Sequence, residues 1–433
     1  MYSKKKILIL GGSRAACSII HKAHEMGVYT IVIDSFEPSP ARDISDEGYT
    51  MNVDNVDEIV EFCKEKSVDG IITGYVDSYL IHYYHICKRL GLPCYTTPEQ
   101  ILLTTNKRIF KQACIDNGVS VIPEFHLTND FLEQDLKKMD YPVLVKPVDN
   151  QGSRGISVCY DEKALKAAWY KALEFSVIKD CLVEKYIELP SVNMLYHLND
   201  GNIMLEAIMD RRVNNTQKNC AKLAEALLFP SIYLDLYLEK FNDKVIGMLK
   251  KLGFRNGVVF LQSFFDGQDF LIYEMGNRLP GTQTYKLVEK CCHYSPMERL
   301  INFALTGSMS KDREMISVSP SFNNKKAVIL ICLLNKGTIK TIKGMEDLMD
   351  IPEVINIDQK LYPGDTVHLV GTMQQIMARI HIVADDAKSI ANAINKLSKC
   401  LRVYDTNGNN QLLELYNEHD LFDWEKKFGD VNS

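Results

Sequence analysis

The chain has 433 residues, 46% of them hydrophobic and 24% charged, a folded-protein balance in a chain too long for one core. Lys and Arg number 50 against 56 Asp and Glu, a formal charge of −6 with no basic block. That excludes a nucleic-acid-binding surface as the main function. Cysteines number 12 without C-x-x-C spacing, which points to a reducing, cytoplasmic setting. No apolar run reaches the roughly eighteen residues of a membrane span, so neither export nor a membrane partner is expected.

In chain order, residues 6–10 (KILIL) read as a buried strand, followed by a Gly-Gly turn and a helical run to Met26. A second strand, YTIVID, ends at Asp34. A helix over 56–68, a strand over 69–74 and a helix over 78–91 complete a β-α-β-α-β alternation. This predicts a small doubly wound parallel sheet over residues 1–97. Ligands of such sheets bind beyond the C-terminal strand ends. Gly12, Ser13 and Arg14 after the first strand, and Asp77 after the third, are therefore substrate-site candidates. A nicotinamide-dependent oxidoreductase is the alternative here, with Asp34 in the position of a ribose-binding acid. However, GGSRAAC has Ser13 and Ala16 where that fingerprint requires glycine.

Helical turns are predicted over 97–123, then a strand, YPVLVKP, that carries Lys146 among apolar residues. A charge there is costly without a partner. A long loop with Gly152, Ser153, Arg154 and Gly155 precedes a second β-prone run. Two residues would close a plain hairpin, so this loop reads as a flap whose N–H groups cover phosphates. An amphipathic helix over 161–175 takes Asp161 as N-cap, and 181–188 is a strand. One long helix is expected over 232–254, then a hairpin of 257–265 and 269–276 turned by DGQ, then helices to Gly307. The last segment is predicted as strands over 327–334, 366–371 and 378–385 and a helix over 387–401. Three units follow: 1–97, 98–310 with a flexible lobe over about 110–187, and 311–433.

Taken in order, the sheet unit, the lysine helix, Lys146 before its glycine loop, VEKYIE and FLQSFFDGQDFLIYEMGNRLPG resemble the ATP-grasp superfamily. That superfamily includes biotin carboxylase, carbamoyl phosphate synthetase, D-alanine–D-alanine ligase and the L-amino-acid ligases. The resemblance covers essentially the whole chain. It implies an α/β fold of three domains: an N-terminal Rossmann-like parallel sheet, a two-lobed nucleotide domain and a small C-terminal α+β lid.

By the same resemblance, Lys107 and Lys146 bind phosphates, and Gly152, Ser153, Arg154 and Gly155 form the phosphate lid. Glu184 accepts from the exocyclic amine of adenine, and the backbone of Lys185 and Ile187 meets the ring edge. Gln262, Glu274 and Asn277 are the implied ligands of Mg²⁺ (or Mn²⁺), and Arg278 neutralises charge on the transferring phosphoryl group. Two departures stand out. Ser191 replaces a ribose-binding acid, and Gly276 stands where the family's E-x-N-x-R pattern has asparagine, with Asn277 displaced by one. The implied activity is a carbon–nitrogen bond-forming, ADP-producing ligase that joins a small carboxylate to an amine through an acyl phosphate. A homodimer is the ordinary expectation. The weakened metal motif keeps open a regulatory protein that binds ATP without turnover.

Overall fold

The computed structural model describes residues 4–150, 154–213, 222–310, 318–417, 421 and 424. The N-terminal alternation builds a parallel sheet from β1 (Lys6–Leu10), β2 (Tyr29–Ile33), β3 (Glu47–Tyr49) and β4 (Gly70–Thr73), in the order β3-β2-β1-β4. Ile7, Leu8 and Ile9 are fully buried, as a strand covered on both faces requires. Strand β3, EGY, is too short and polar to carry a strand signal.

A second, antiparallel sheet holds β5 (Glu124–Phe125), β6 (Val143–Pro147), β7 (Ser157–Cys159) and β8 (Cys181–Lys185), in the order β5-β8-β6-β7. Helix Glu162–Phe175 covers it, and its Leu165, Trp169 and Ala172 pack into the same core as Val143, Val145 and Val183. The Asp161 side chain accepts from the Ala164 N–H at 2.7 Å, the cap expected of it.

The remaining strands are β9 (Ser191–Asn199), β10 (Asn202–Val213), β11 (Ala224–Phe229), β12 (Gly257–Phe265), β13 (Phe270–Gly276), β14 (Lys326–Leu333), β15 (Gly337–Lys343), β16 (Val354–Gln359), β17 (Thr366–Val367), β18 (Ile376–Ala384) and β19 (Arg402–Asp405). Eight of them form one antiparallel sheet, β13-β12-β9-β10-β11-β14-β18-β16, and β17-β15-β19 form a small one. The large sheet runs on across position 311, because β11 pairs with β14.

Three sequence expectations need correction. The helix expected over 232–254 is two helices, Leu234–Lys240 and Asn242–Lys251. Phe241 leaves helical geometry at φ −124°, and its ring packs 4.9 Å from that of Phe270. The strand expected over 366–371 is only Thr366–Val367, since Leu369 is exposed and has no sheet face to cover. Strands β9, β10 and β11, central to the large sheet, have no counterpart among the expected elements.

Candidate active site

Helix Lys107–Asp116 begins where the Asn106 side chain accepts from the N–H groups of Arg108 and Ile109. Its first residue, Lys107, donates from Nζ to the Asn150 carbonyl at 2.5 Å, and its own N–H donates to the Val148 carbonyl. Burial lowers the Lys107 pKa, Glu274 opposes the shift, and Lys146 adds to it. One turn on, Lys111 faces the same way. It is buried, and its Nζ reaches Glu184 Oε1 at 2.5 Å and Glu124 Oε2 at 3.3 Å.

Lys146 on β6 reaches the other oxygen of Glu184, Oε2, at 2.6 Å. Glu184 pairs in register with Leu144, so Lys146 is its diagonal neighbour on one sheet face. Burial pushes the Glu184 carboxyl up, but Lys146 and Lys111 outweigh that and hold it below the usual range. Expected to accept from the exocyclic amine of adenine, Glu184 here pairs with Lys111 and Lys146. Both its oxygens are held by lysines, so its first service is to fix their ammonium groups. Lys111 was missed in the sequence, although its i+4 spacing from Lys107 could have found it.

Of the flap, Gly152 and Ser153 lie outside the described residues. Arg154 is exposed. Gly155 is buried at φ +78°, and a Cβ there would stand 2.8 Å from Phe175 and 3.0 Å from Pro147, which demands glycine. The Lys185 ammonium pairs with Asp140 on the surface, and its N–H is taken by the Pro123 carbonyl. Ile187 lies just past the end of β8.

The opposite wall comes from β12 and β13. Gln262 pairs with Glu274, whereas Ser263 pairs with Ile272, so Tyr273 is an extra residue in β13. This bulge turns both Tyr273 and Glu274 away from the core that holds Ile272 and Met275. The Tyr273 hydroxyl donates to Gln262 Oε1 at 3.0 Å. Glu274 makes no hydrogen bond or ion pair among the described residues. Asn193 of β9 continues the row opposite Gln262, and its Oδ1 is buried with no partner. Asn193 was also missed, for want of any strand assignment there.

Asn277, the implied displaced metal ligand, is fully buried; its Nδ2 donates to Thr96 Oγ1 at 3.1 Å, and its Oδ1 has no partner among the described residues. Gly276 faces Phe260, and a Cβ at Gly276 would stand 2.2 Å from that ring. The Phe260 ring fills the space an asparagine side chain would need. Arg278 lies over that ring, 5.2 Å from its centroid, and its Nη2 donates to Asp77 Oδ2 at 2.6 Å. Asp77 thus joins the N-terminal sheet to the phosphoryl-arginine candidate, while its Oδ1 and the Arg278 Nε remain buried without partners.

Gly12, Ser13 and Arg14 follow β1 as expected. The Gly12 N–H donates to Asp34 Oδ2 at 2.7 Å, and Asp34 also takes the Phe36 N–H and the Ser39 hydroxyl. Asp34 is therefore committed to the turn and not held ready for a ribose. Arg14 stacks on Tyr362 at 4.2 Å. It stands at one end of a polar cleft of about 1380 Å³ between helix Cys17–Glu25, helix Tyr285–Cys292 and β16. No helix among the described residues is long and apolar enough to cross a membrane.

Residues 106–284 match the family model described as the carbamoyl-phosphate synthase L chain, ATP binding domain. The 2-oxoglutarate carboxylase small subunit of Hydrogenobacter thermophilus is 26% identical over 275 residues, 58% of this chain and 56% of that protein. The formate-dependent phosphoribosylglycinamide formyltransferase of Bacillus subtilis is 25% identical over 195 residues, 44% of this chain and 50% of that protein. The chain thus spans about half the length of the curated relatives it matches. Among solved structures, an L-amino acid ligase from Bacillus licheniformis superposes with TM-score 0.77 at 18% identity, covering 94% of this chain and all of that one (100%). A biotin carboxylase from Campylobacter jejuni superposes with TM-score 0.70 at 18% identity, covering 99% and 95%.

Proposed function

We propose, from the ATP-grasp fold this chain shares with those ligases and carboxylases, that it is an ATP-dependent carboxylate–amine ligase. The observation that carries the reading is the facing of two walls. Lys107 and Lys146, the latter fixed by Glu184, stand on one, and Gln262, Glu274 and Arg278 stand on the other. ATP brings about four negative charges at neutral pH, and such a site offers the cations it needs.

The residues fit Mg²⁺. Among the described residues Glu274 has no competing partner, and Asn193 has a buried, unpartnered oxygen beside Gln262. Mg²⁺ takes one or two protein carboxylates and completes its sphere with water and phosphate. Glu274 and Gln262 would hold the ion, which when bound neutralises phosphate charge. Lys107 and Lys146 bind the phosphates, the flap excludes water, and the backbone of Lys185 and Ile187 meets the adenine edge. A carboxylate oxygen of the substrate attacks the γ-phosphorus as the bond to the β-bridging oxygen breaks, giving an acyl phosphate and ADP. Arg278 neutralises the transferring group. The amine lone pair then attacks the acyl carbon, phosphate departs with the bonding pair, and the amine gives up one proton.

For the organisation we retain units at 1–97, 98–310 and 311–433, with β14, β16 and β18 of the last completing the sheet of the second. Small carboxylate and amine substrates, a cytoplasmic setting and a homodimer belong to the same proposal. A second reading, ATP binding without turnover, is favoured by one observation, the Phe260 ring in the space of the missing asparagine. The test of nucleotide binding is Lys146→Ala. ATP affinity by calorimetry should fall by roughly 1.5–3 kcal/mol. A folded variant with unaltered affinity would remove Lys146 from the site.

A further inference from the structure

Outside the two walls, the turn that follows helix Leu80–Leu90 brings two thiols together. The helix stops at Gly91, φ +68°, and the Leu92 N–H returns to the Cys87 carbonyl at 3.0 Å. The chain then doubles back along the helix. The Tyr83 hydroxyl, one turn before Cys87, donates to the Pro93 carbonyl and accepts from the Tyr95 N–H, both at 3.4 Å. One hydroxyl thus holds the residues on both sides of Cys94, and the Tyr83 and Tyr95 rings pack 5.2 Å apart. This lays Cys94 on the helix face that carries Tyr83 and Cys87, with its thiol in hydrogen-bond contact with that of Cys87.

The two thiols differ in access. Cys87 is fully buried, whereas Cys94 is partly exposed and its Sγ also meets the Thr96 carbonyl at 3.4 Å. They differ in acidity as well. The hydrogen bond from Cys87 lowers the Cys94 pKa, with burial opposing it, and burial raises Cys87. Thiolate is the nucleophile in thiol chemistry, so the reachable member of the pair is the reactive one. The enclosed member stands ready to resolve it.

We propose that Cys94 is a peroxide-reactive thiol that closes a reversible disulfide with Cys87, a modification site separate from the nucleotide site. The Cys94 sulfur attacks one oxygen of a hydroperoxide and the O–O bond breaks. This leaves a sulfenic acid on Cys94 and releases water or an alcohol. The Cys87 sulfur then attacks the Cys94 sulfur, the S–O bond breaks, and the departing hydroxide takes the Cys87 proton as a second water. Two thiols give up two electrons and the peroxide receives them. In a reducing compartment such a bond is transient, which suits a sensor better than a structural link. The next two residues lead to the site. Thr96 Oγ1 accepts from Asn277, beside Arg278, and a Cβ on Gly257 would stand 2.9 Å from the Tyr95 ring. A covalent bond draws Cys94 toward the helix, and Tyr95 and Thr96 move with it. The proposal does not rest on the ligase reading.

The test treats the reduced full chain with hydrogen peroxide, caps the remaining thiols with N-ethylmaleimide and digests with trypsin, which cuts at Lys88 and Arg89 between the two cysteines. The Cys87 and Cys94 peptides should be recovered joined, two hydrogens lighter than the separate pair, and dithiothreitol should release them. Capping of Cys94 should slow about tenfold or more after peroxide and recover after dithiothreitol. Cys94→Ser, at a partly exposed position, should abolish the joined peptide, and Cys87→Ser should leave a Cys94 sulfenic acid that dimedone traps. Amide hydrogen exchange over 275–279 should rise about threefold or more on oxidation of the parent chain. A Cys94 that stays a free thiol while other cysteines oxidise, or that joins any cysteine but Cys87, would overturn the pair. Exchange that ignores the disulfide would overturn its link to the site wall.

Discussion

Replacing Glu184 by Gln removes the charge that Lys146 and Lys111 share, at 2.6 and 2.5 Å. All three side chains are less than a tenth exposed, so water cannot take over. Removing one partner of a buried pair costs about 3–5 kcal/mol. Lys111 keeps Glu124 at 3.3 Å, which argues for the lower end, about 3 kcal/mol. Urea unfolding should show that loss, and calorimetry should show ATP binding weakened about tenfold, because the Lys146 ammonium is no longer fixed. Lys111→Met is the contrast. It should destabilise the chain yet leave ATP affinity within about twofold, since Lys111 holds the carboxylate and not the nucleotide. The pH dependence has a definite sign. The folded Glu184 pKa lies below its ordinary 4.5, so its stabilisation is present above that value and is lost as pH falls through the folded one. The stability gap between the parent and Glu184→Gln should therefore close on acidification below 4.5. A variant as stable as the parent within about 1 kcal/mol at pH 7, or a gap that widens in acid, would refute the reasoning.

Arg278→Lys should bind ATP nearly normally but turn over about 10²–10³ more slowly in an ADP-release assay, because a point charge replaces a planar fork held by Asp77. Gly276→Asn should lower the unfolding free energy from urea titration by roughly 1–3 kcal/mol through overpacking against Phe260, and adding Phe260→Leu should recover part of it. Glu206 is fully buried with both oxygens unpartnered among the described residues, and burial lifts its pKa to about 8. Ionisation then favours the unfolded chain, so stability should fall as pH rises from about 4.5 to about 8, and Glu206→Gln should flatten that slope in unfolding curves.

Much of this fold was legible because its strands announce themselves. ILIL, after Lys6, and YPVLV are apolar throughout, and FLQSFFDGQDFLIY carries its own turn. The centre of the large sheet was not. Strands β9 and β10 mix His197, Glu206 and Asp210 into their buried faces, and the polar residues break the alternation that marks a strand. At the site, Lys146 was legible as a charge in an apolar strand. The role of Glu184 was not, because two lysines from other elements reach it only after the lobe folds. The surroundings of Asn277 were hidden for a related reason. Its offset from Glu274 is readable, but the Tyr273 bulge that decides which side chains face the cleft is a property of strand pairing.

The central claim is that ATP is cleaved to activate a carboxylate. It is tested most directly by following ADP, AMP and phosphate when the protein is mixed with ATP–Mg²⁺, hydroxylamine and a panel of mono- and dicarboxylates and phosphorylated acids. Hydroxylamine captures an acyl phosphate as a hydroxamate. The account predicts ADP and phosphate in equal amounts, dependent on one class of acid and matched by hydroxamate. Release of AMP, or tight ATP binding with no acid-dependent ADP anywhere in the panel, would contradict it.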